Sequence, residues 1–181
     1  MLAINAERLK LVALDARLAG LQSRAPPAFF EALNVMSEAS WPPDLMDQPA
    51  MNACELNLAE HPDQAGWYFW AFIWPDFIGG MDRLVGGGGF KGPPDKNGAV
   101  EIAYSMLTSF REQGLATEAV NALINWAFST GQVREVIAET LPHLIASQRV
   151  LEKTGFVEAG TREEDGVTIV RFALQRERAA A

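Results

Sequence analysis

An apolar run of eight residues near the middle of the chain places the strongest constraint on its fold. The run occupies residues 67–74, reads WYFWAFIW and lies between Gly66 and Pro75. Its aromatic side chains favour an extended strand, and the lack of any charge predicts that both faces of that strand are covered. A helical membrane span needs about 20 apolar residues, so this run is too short for one. The strand must therefore lie inside a layered fold or at an interface between two copies of the chain.

Length and composition are those of one globular domain. The chain has 181 residues, of which 49% are hydrophobic and 21% charged, and a balance of this kind excludes general disorder. Its 15 basic and 23 acidic side chains give a net charge of −8, which argues against sequence-independent binding of nucleic acid. We expect a single domain over residues 1–181 that binds neither nucleic acid nor a membrane, with a weak preference for neutral or cationic substrates.

Cysteine and histidine are too scarce for the common metal sites. Cys54 is the only cysteine, which excludes an internal disulfide and a cysteine-based zinc site, and His61 and His143 are far apart in the chain. The chain does not begin with a basic segment followed by an apolar one, so no secretory signal is visible. The sequence therefore predicts a cytoplasmic protein without a metal.

The spacing of apolar residues predicts alternating strands and helices, that is, one mixed α/β (α+β) domain. Predicted strands cover residues 7–14, 67–74, 82–90, 99–107, 134–140, 156–162 and 167–175. Predicted helices cover residues 16–22, 28–40, 45–60 (capped by Asp44), 115–129 and 144–154. Short turns between the second, third and fourth strands predict an antiparallel meander.

A strand-to-helix junction at residues 111–117, REQGLAT, is the most informative local feature. The helix after it carries an apolar stripe, so its start leaves backbone N–H groups without intrahelical partners. Gly114 lets the backbone approach a ligand, Ala116 keeps side-chain bulk away, and Arg111 adds a positive charge. These features suit an anion such as a pyrophosphate. The alternative interpretation is that Gly114 and Thr117 only help to start the helix.

A second glycine motif is discounted on its context. Residues 87–92, GGGFKG, match the spacing of a dinucleotide-binding loop, but Pro93 and Pro94 follow where that loop requires a helix. We expect the glycines at 86–89 to permit a bulge or close packing in the sheet.

Three segments that occur in a fixed order indicate which kind of protein this junction belongs to. They are the strand VEIAYSML at residues 100–107, the Arg-x-x-Gly-x-Ala turn that begins at Arg111, and ASQRVLEKTGF at residues 146–156. Together they resemble the GNAT superfamily of N-acetyltransferases, specifically its RimJ/RimL-type branch, over residues 7–174. The resemblance implies a mixed, mostly antiparallel twisted sheet flanked by helices, with acetyl-CoA as the acetyl donor.

The resemblance also assigns roles to individual positions. It places the pyrophosphate loop on Arg111, Glu112, Gln113, Gly114, Leu115, Ala116 and Thr117. It places backbone pairing with the pantetheine amides on Met106 and Leu107, where an N–H group would polarise the thioester carbonyl. Glu101 falls where many members carry the carboxylate that deprotonates the amine. Its alternative role is that of a strand carboxylate in an ordinary charge pair.

Two positions depart from the family pattern. Leu144 stands where many relatives have Asn, and Leu151 stands where others have the Tyr that protonates the leaving thiolate. No phenol is therefore expected at position 151, and Ser147 is the nearest hydroxyl that could bind the CoA sulfur. Its alternative role is to cap or pack the helix.

These observations predict an N-acetyltransferase that transfers acetyl from acetyl-CoA to a primary amine by direct attack in a ternary complex. The acceptor is a protein N-terminus or a small-molecule amine, and a homodimer is one option for the assembly. Two alternatives stay open: a non-catalytic CoA-binding regulatory module, which the changes at Leu144 and Leu151 favour, and transfer of a longer acyl group.

Overall fold

The apolar run becomes an interior strand of a large sheet. A computed structural model describes residues 1–44, 46–75 and 79–176. Over these residues the sheet comprises β1 (Ala3–Asn5), β2 (Lys10–Ala13), β3 (Phe69–Trp74), β4 (Arg83–Phe90), β5 (Ala99–Met106), β6 (Glu135–Thr140), β7 (Val157–Glu164) and β8 (Val167–Gln175). Their spatial order is β1-β2-β3-β4-β5-β6-β8-β7, and the described pairs are antiparallel except for β5 with β6. The predicted mixed, mostly antiparallel sheet and the meander are confirmed.

Helices and aromatic side chains cover β3 on both faces. The described helices are α1 (Ala16–Arg24), α2 (Pro26–Leu33), α3 (Gln48–Glu60), α4 (Leu115–Ser129) and α5 (Ile145–Lys153). Neighbouring side chains of a strand point to opposite faces. Trp70 meets Trp126 of α4 with ring centroids 5.2 Å apart, whereas Phe69 meets Trp41, which packs on Phe29 of α2. The aromatic strand therefore lies in the core of the chain.

The first third of the chain departs most from the prediction. The segment expected to be helical to residue 40 ends at Leu33, because Asn34 adopts a left-handed conformation (φ 55°) that terminates α2. Helix α3 begins at Gln48, capped by the Asp47 carboxylate and not by Asp44. Strand β1 was not predicted, since three residues are too few to show a periodicity.

Glycines in β4 allow the sheet to pack closely, as expected. A Cβ on Gly87 would lie 2.1 Å from the Phe69 ring, and one on Gly89 would lie 1.8 Å from the Tyr68 carbonyl oxygen. The pairing with β3 also shifts register, because Gly86 pairs with Phe72 whereas Leu84 pairs with Ile73. One extra residue in β4 therefore makes a bulge.

Candidate functional site

The sheet opens between β5 and β6. Their parallel pairing runs from Ala99 with Glu135 to Ile102 with Ala138. Beyond this point β5 continues to Met106 along β4, and β6 continues to Thr140 along β8. The two strands thus diverge and leave a gap at their carboxyl ends, which is where open sheets place ligands.

Strand β5 presents backbone groups to this gap. Lys91 N–H donates to the Glu101 carbonyl (3.0 Å), and Leu107 N–H donates to the Val85 carbonyl (2.9 Å). Glu101 and Leu107 therefore bond to β4, and backbone groups alternate between the two edges of a strand. Tyr104 and Met106 consequently direct their N–H and C=O groups toward the gap. Of the two residues expected to pair with pantetheine, Met106 faces the gap, whereas the Leu107 N–H group is already used within the sheet.

The anion loop, residues 111–117, where an anion is predicted to bind, lies between the end of β5 and α4. Glu112 (φ 62°) and Gly114 (φ 79°) are both left-handed, and Gly114 is the N-cap of α4 without a side-chain cap. The first N–H groups of the helix therefore remain open to an anion. Leu115 is buried and anchors the helix, while Ala116 and Thr117 are half-buried.

Arg111 is turned back toward the end of β5. Its Nε donates to the Met106 carbonyl (3.1 Å), and its Nη2 lies 2.7 Å from the Asp44 carboxylate. The guanidinium therefore links the loop to the strand, and the Asp44 carboxylate partly neutralises its charge. Gln113 adds a bond within this segment, since its Nε2 donates to the Ser109 carbonyl (3.2 Å).

Arg8 and Glu118 bond the segment before β2 to this loop and to the start of α4, and the sequence did not predict this contact. Glu118 Oε1 accepts the backbone N–H groups of Arg8 (2.6 Å) and Leu9 (2.9 Å), while its Oε2 accepts Arg8 Nε (2.9 Å). Arg8 Nη1 also donates to the Gln113 carbonyl (2.9 Å). Residues more than one hundred positions apart make these contacts, and no local pattern announces them.

Glu101 lies one residue before the last pair of the β5–β6 ladder. Its side chain is 28% exposed and forms an ion pair with Lys91. This is the charge pair expected if Glu101 were an ordinary strand carboxylate, yet it also leaves a carboxylate beside the gap. Alternation along β5 places Glu101 on the face opposite Tyr104.

Ser147 in the first turn of α5 contacts the phenol of Tyr104, a residue for which the sequence predicts no role. The Tyr104 hydroxyl donates to the Ser147 carbonyl (3.1 Å) and lies 3.4 Å from Ser147 Oγ. Burial raises the pKa of Tyr104 to about 12, which keeps the phenol protonated. Leu151 is buried. The one tyrosine hydroxyl shown to contact Ser147 therefore comes from β5, on the sheet face opposite Glu101.

Other kinds of site find little support in the described segments. They contain no group of three or more His, Cys, Asp or Glu residues that could hold a metal ion. Nor does any helix within them combine the length and apolar character that a membrane crossing needs.

Comparison with known proteins agrees with this geometry. The sequence profile of the family described as "Acetyltransferase (GNAT) domain" matches residues 15–157. Over 157 residues the chain is 30% identical to YjdG of Bacillus subtilis, described as an uncharacterized N-acetyltransferase, covering 87% of this chain and 90% of that protein.

Solved structures agree on the fold at lower identity. RimL, described as a ribosomal L7/L12 alpha-N-protein acetyltransferase in complex with coenzyme A, superposes with a TM-score of 0.67 at 18% identity, covering 96% of this chain and 98% of the other. A ribosomal-protein-S5-alanine acetyltransferase from Vibrio fischeri gives 0.68 at 14% identity, covering 97% of each. The profile match spans most of the chain and agrees with the split sheet and the uncapped helix, so the chain belongs to the GNAT family of acetyl-CoA-dependent N-acetyltransferases.

Proposed function

We propose that this protein transfers the acetyl group of acetyl-CoA to a primary amine by direct attack in a ternary complex, with no acyl-enzyme. The observation that carries the proposal is the gap between β5 and β6, which leads into the uncapped start of α4. An elongated ligand with amides at one end and a pyrophosphate at the other fits such an arrangement. One domain over residues 1–181 would carry the whole activity.

The residues around the gap suit the parts of coenzyme A. The Met106 and Tyr104 backbone groups would pair with the pantetheine amides as an added strand edge does. Backbone N–H groups at residues 112–117 would hold the pyrophosphate, with Gly114 allowing close approach. Arg111 would fix the loop to the strand and supply charge nearby. Binding both reactants in one place converts a bimolecular step into an intramolecular one, which is a large part of the expected rate gain.

Glu101 is the proposed base. An ammonium must lose a proton before its nitrogen can attack the thioester carbonyl, and a carboxylate beside the gap can take that proton directly or through water. Lys91 forms an ion pair with this carboxylate, so an incoming ammonium would compete with Lys91 for the carboxylate. A backbone N–H group on the edge of β5 that faces the gap would polarise the thioester carbonyl.

A peptide α-amine is the acceptor class that the comparisons favour. One structural neighbour is described as a ribosomal L7/L12 alpha-N-protein acetyltransferase and another as a ribosomal-protein-S5-alanine acetyltransferase. The net charge of −8 also suits a cationic acceptor. Small-molecule amines are also cationic, so they remain in the test. The cytoplasmic location and a homodimeric assembly stay predictions.

The experiment is thiol release from acetyl-CoA with a panel of peptides, amino acids, polyamines and aminoglycosides. Glu101→Gln removes the base, whereas Lys91→Met breaks the same ion pair and keeps the carboxylate. We expect Glu101→Gln to lower kcat by about 10²-fold or more, with Lys91→Met close to wild type.

Other outcomes would each point elsewhere. Equal losses in the two variants would mean that the ion pair is structural and that Glu101 is not the base. No turnover with any amine, despite CoA binding, would favour the non-catalytic module. Faster turnover with butyryl-CoA would favour a longer acyl donor.

A further inference from the structure

A primary amine of the chain itself lies against the carboxylate that is proposed as the base. Lys91 directly follows β4, and its backbone N–H group donates to the Glu101 carbonyl (3.0 Å), so the two residues are held side by side on neighbouring strands. The Lys91 ammonium also forms an ion pair with the Glu101 carboxylate. An amine of the class that the protein is proposed to acetylate is therefore already in contact with the group that would deprotonate it.

A second carboxylate places the Lys91 charge at the opening between β5 and β6. Glu101 pairs with Ile137 of β6, and Glu139 lies two residues further along that strand, beyond the end of the ladder and on the same face. The pKa of Glu139 is lowered, first by a hydrogen bond from Arg162 and also by the positive charge of Lys91. The Lys91 ammonium is thus close to carboxylates on both strands that border the gap.

The Lys91 side chain can leave Glu101 at small cost. Its exposed fraction is 60%, and an exposed ion pair contributes little to stability because water screens it. The four-carbon stem of lysine rotates freely in such a position, whereas the backbone bond to Glu101 keeps its base beside the gap. A tethered amine of this kind reaches a nearby group far more often than a free amine in solution does.

We propose that Lys91 is a self-acetylation site, at which the protein transfers the acetyl group of acetyl-CoA to its own Lys91 Nζ. The inference rests on the proposed function. The Lys91 ammonium gives one proton to Glu101, and the freed electron pair on nitrogen attacks the thioester carbonyl. The C–N bond forms, the C–S bond breaks with its electron pair on sulfur, and the second proton of the nitrogen leaves to the thiolate or to water. The amide that results is neutral, so the ion pair with Glu101 is lost.

The test follows the acetylation of each lysine in the protein without an added amine. The protein is incubated with isotopically labelled acetyl-CoA, and peptide mass spectrometry gives the rate at each of its four lysines, Lys10, Lys91, Lys96 and Lys153. Lys96 is the matched control, because it is an exposed lysine in the turn that follows β4. We expect Lys91 to be labelled at least about tenfold faster than Lys96, since its amine reacts within the complex. The rate constant should not change with protein concentration.

Acetic anhydride supplies the comparison that needs no bound CoA. It acetylates accessible amines by its own reactivity, so Lys91 and Lys96 should be labelled by it at similar rates. With acetyl-CoA, Glu101→Gln should slow the labelling of Lys91 to the rate seen at Lys96. Lys91→Arg should remove the fast label and leave the slow one on Lys96.

Three results would overturn the inference. Equal labelling of Lys91 and Lys96 by acetyl-CoA is the first, and turnover of an added amine in the same sample would show that the proposed function still stands. The second is an equal excess at Lys91 with acetic anhydride, which would mean a lysine that is reactive without catalysis. The third is unchanged labelling of Lys91 in Glu101→Gln, which would contradict the proton transfer. Absence of both labelling and turnover would overturn the proposed function as well.

Discussion

Removing the Glu118 carboxylate should destabilise the protein far more than an ordinary surface ion pair would. Only 11% of this side chain is exposed, and it accepts two backbone N–H groups, those of Arg8 and Leu9, besides the Arg8 guanidinium. Glu118→Ala would leave both N–H groups without their acceptor. At about 1–3 kcal/mol for each lost partner, reduced by water that reaches Arg8, we expect a total loss of about 2–4 kcal/mol.

Two further variants separate the backbone bonds from the charge. Arg8→Ala keeps both N–H bonds and removes a guanidinium that is 38% exposed, so we expect a loss of about 0.5–1 kcal/mol after allowing for solvent screening. Glu118→Gln keeps an acceptor oxygen but loses the charge, and should fall between the two at about 1–2 kcal/mol.

Urea denaturation at pH 7 gives the free energy of unfolding for each variant. The order Arg8→Ala, Glu118→Gln, Glu118→Ala is the expected result. If Glu118→Ala cost no more than Arg8→Ala, the backbone bonds would contribute nothing and the argument from unpaired N–H groups would be refuted.

Two other predictions concern the sheet and its turns. Gly89→Ala should lower the free energy of unfolding in urea by about 3 kcal/mol or more, because its Cβ would lie 1.8 Å from the Tyr68 carbonyl oxygen and its backbone is left-handed. Gly160→Ala is also left-handed but has nothing within 4 Å, so it should cost about 1 kcal/mol. Similar losses in the two variants would contradict the steric account. Backbone N–H groups of Ala99 and Asn97 hold the pKa of Asp95 below its ordinary value, so Asp95 stabilises the fold above about pH 4 and this contribution is lost as the pH falls through the lowered pKa. Asp95→Asn should therefore lose less stability than wild type between pH 5 and 2, and parallel pH profiles would contradict this.

Strongly patterned segments made most of the fold predictable. The strand at residues 67–74, the periodic helix after Gly114 and the strands at residues 156–162 and 167–175 each carry a signal within one short window. The start of α3 was misplaced because Asp44 and Asp47 are both good caps, and only the Asp47 carboxylate meets a helix N–H group. Which of two adequate caps is used depends on tertiary packing, which no local window contains.

The candidate site, too, could be predicted from the sequence only in part. The anion loop at residues 111–117 could be found because its chemistry depends on consecutive residues. The long-range contacts of the site could not be predicted, since Arg8 reaches Gln113 and Tyr104 reaches Ser147 only after the sheet has formed. Leu151 gave no reason to expect a phenol near α5, whereas the fold brings the Tyr104 hydroxyl to Ser147 from β5.

The short ladder between β5 and β6 has a mechanical consequence. Four residue pairs join a five-stranded sub-sheet, β1 to β5, to a three-stranded one formed by β6, β8 and β7. A molecule bound in the gap would contact both β5 and β6 and would therefore hold the two sub-sheets together. A ligand that binds only the folded form stabilises it by an amount that grows with the ligand concentration relative to its Kd. At a fixed concentration, the stability of the two joined sub-sheets and the affinity for that molecule would therefore rise together.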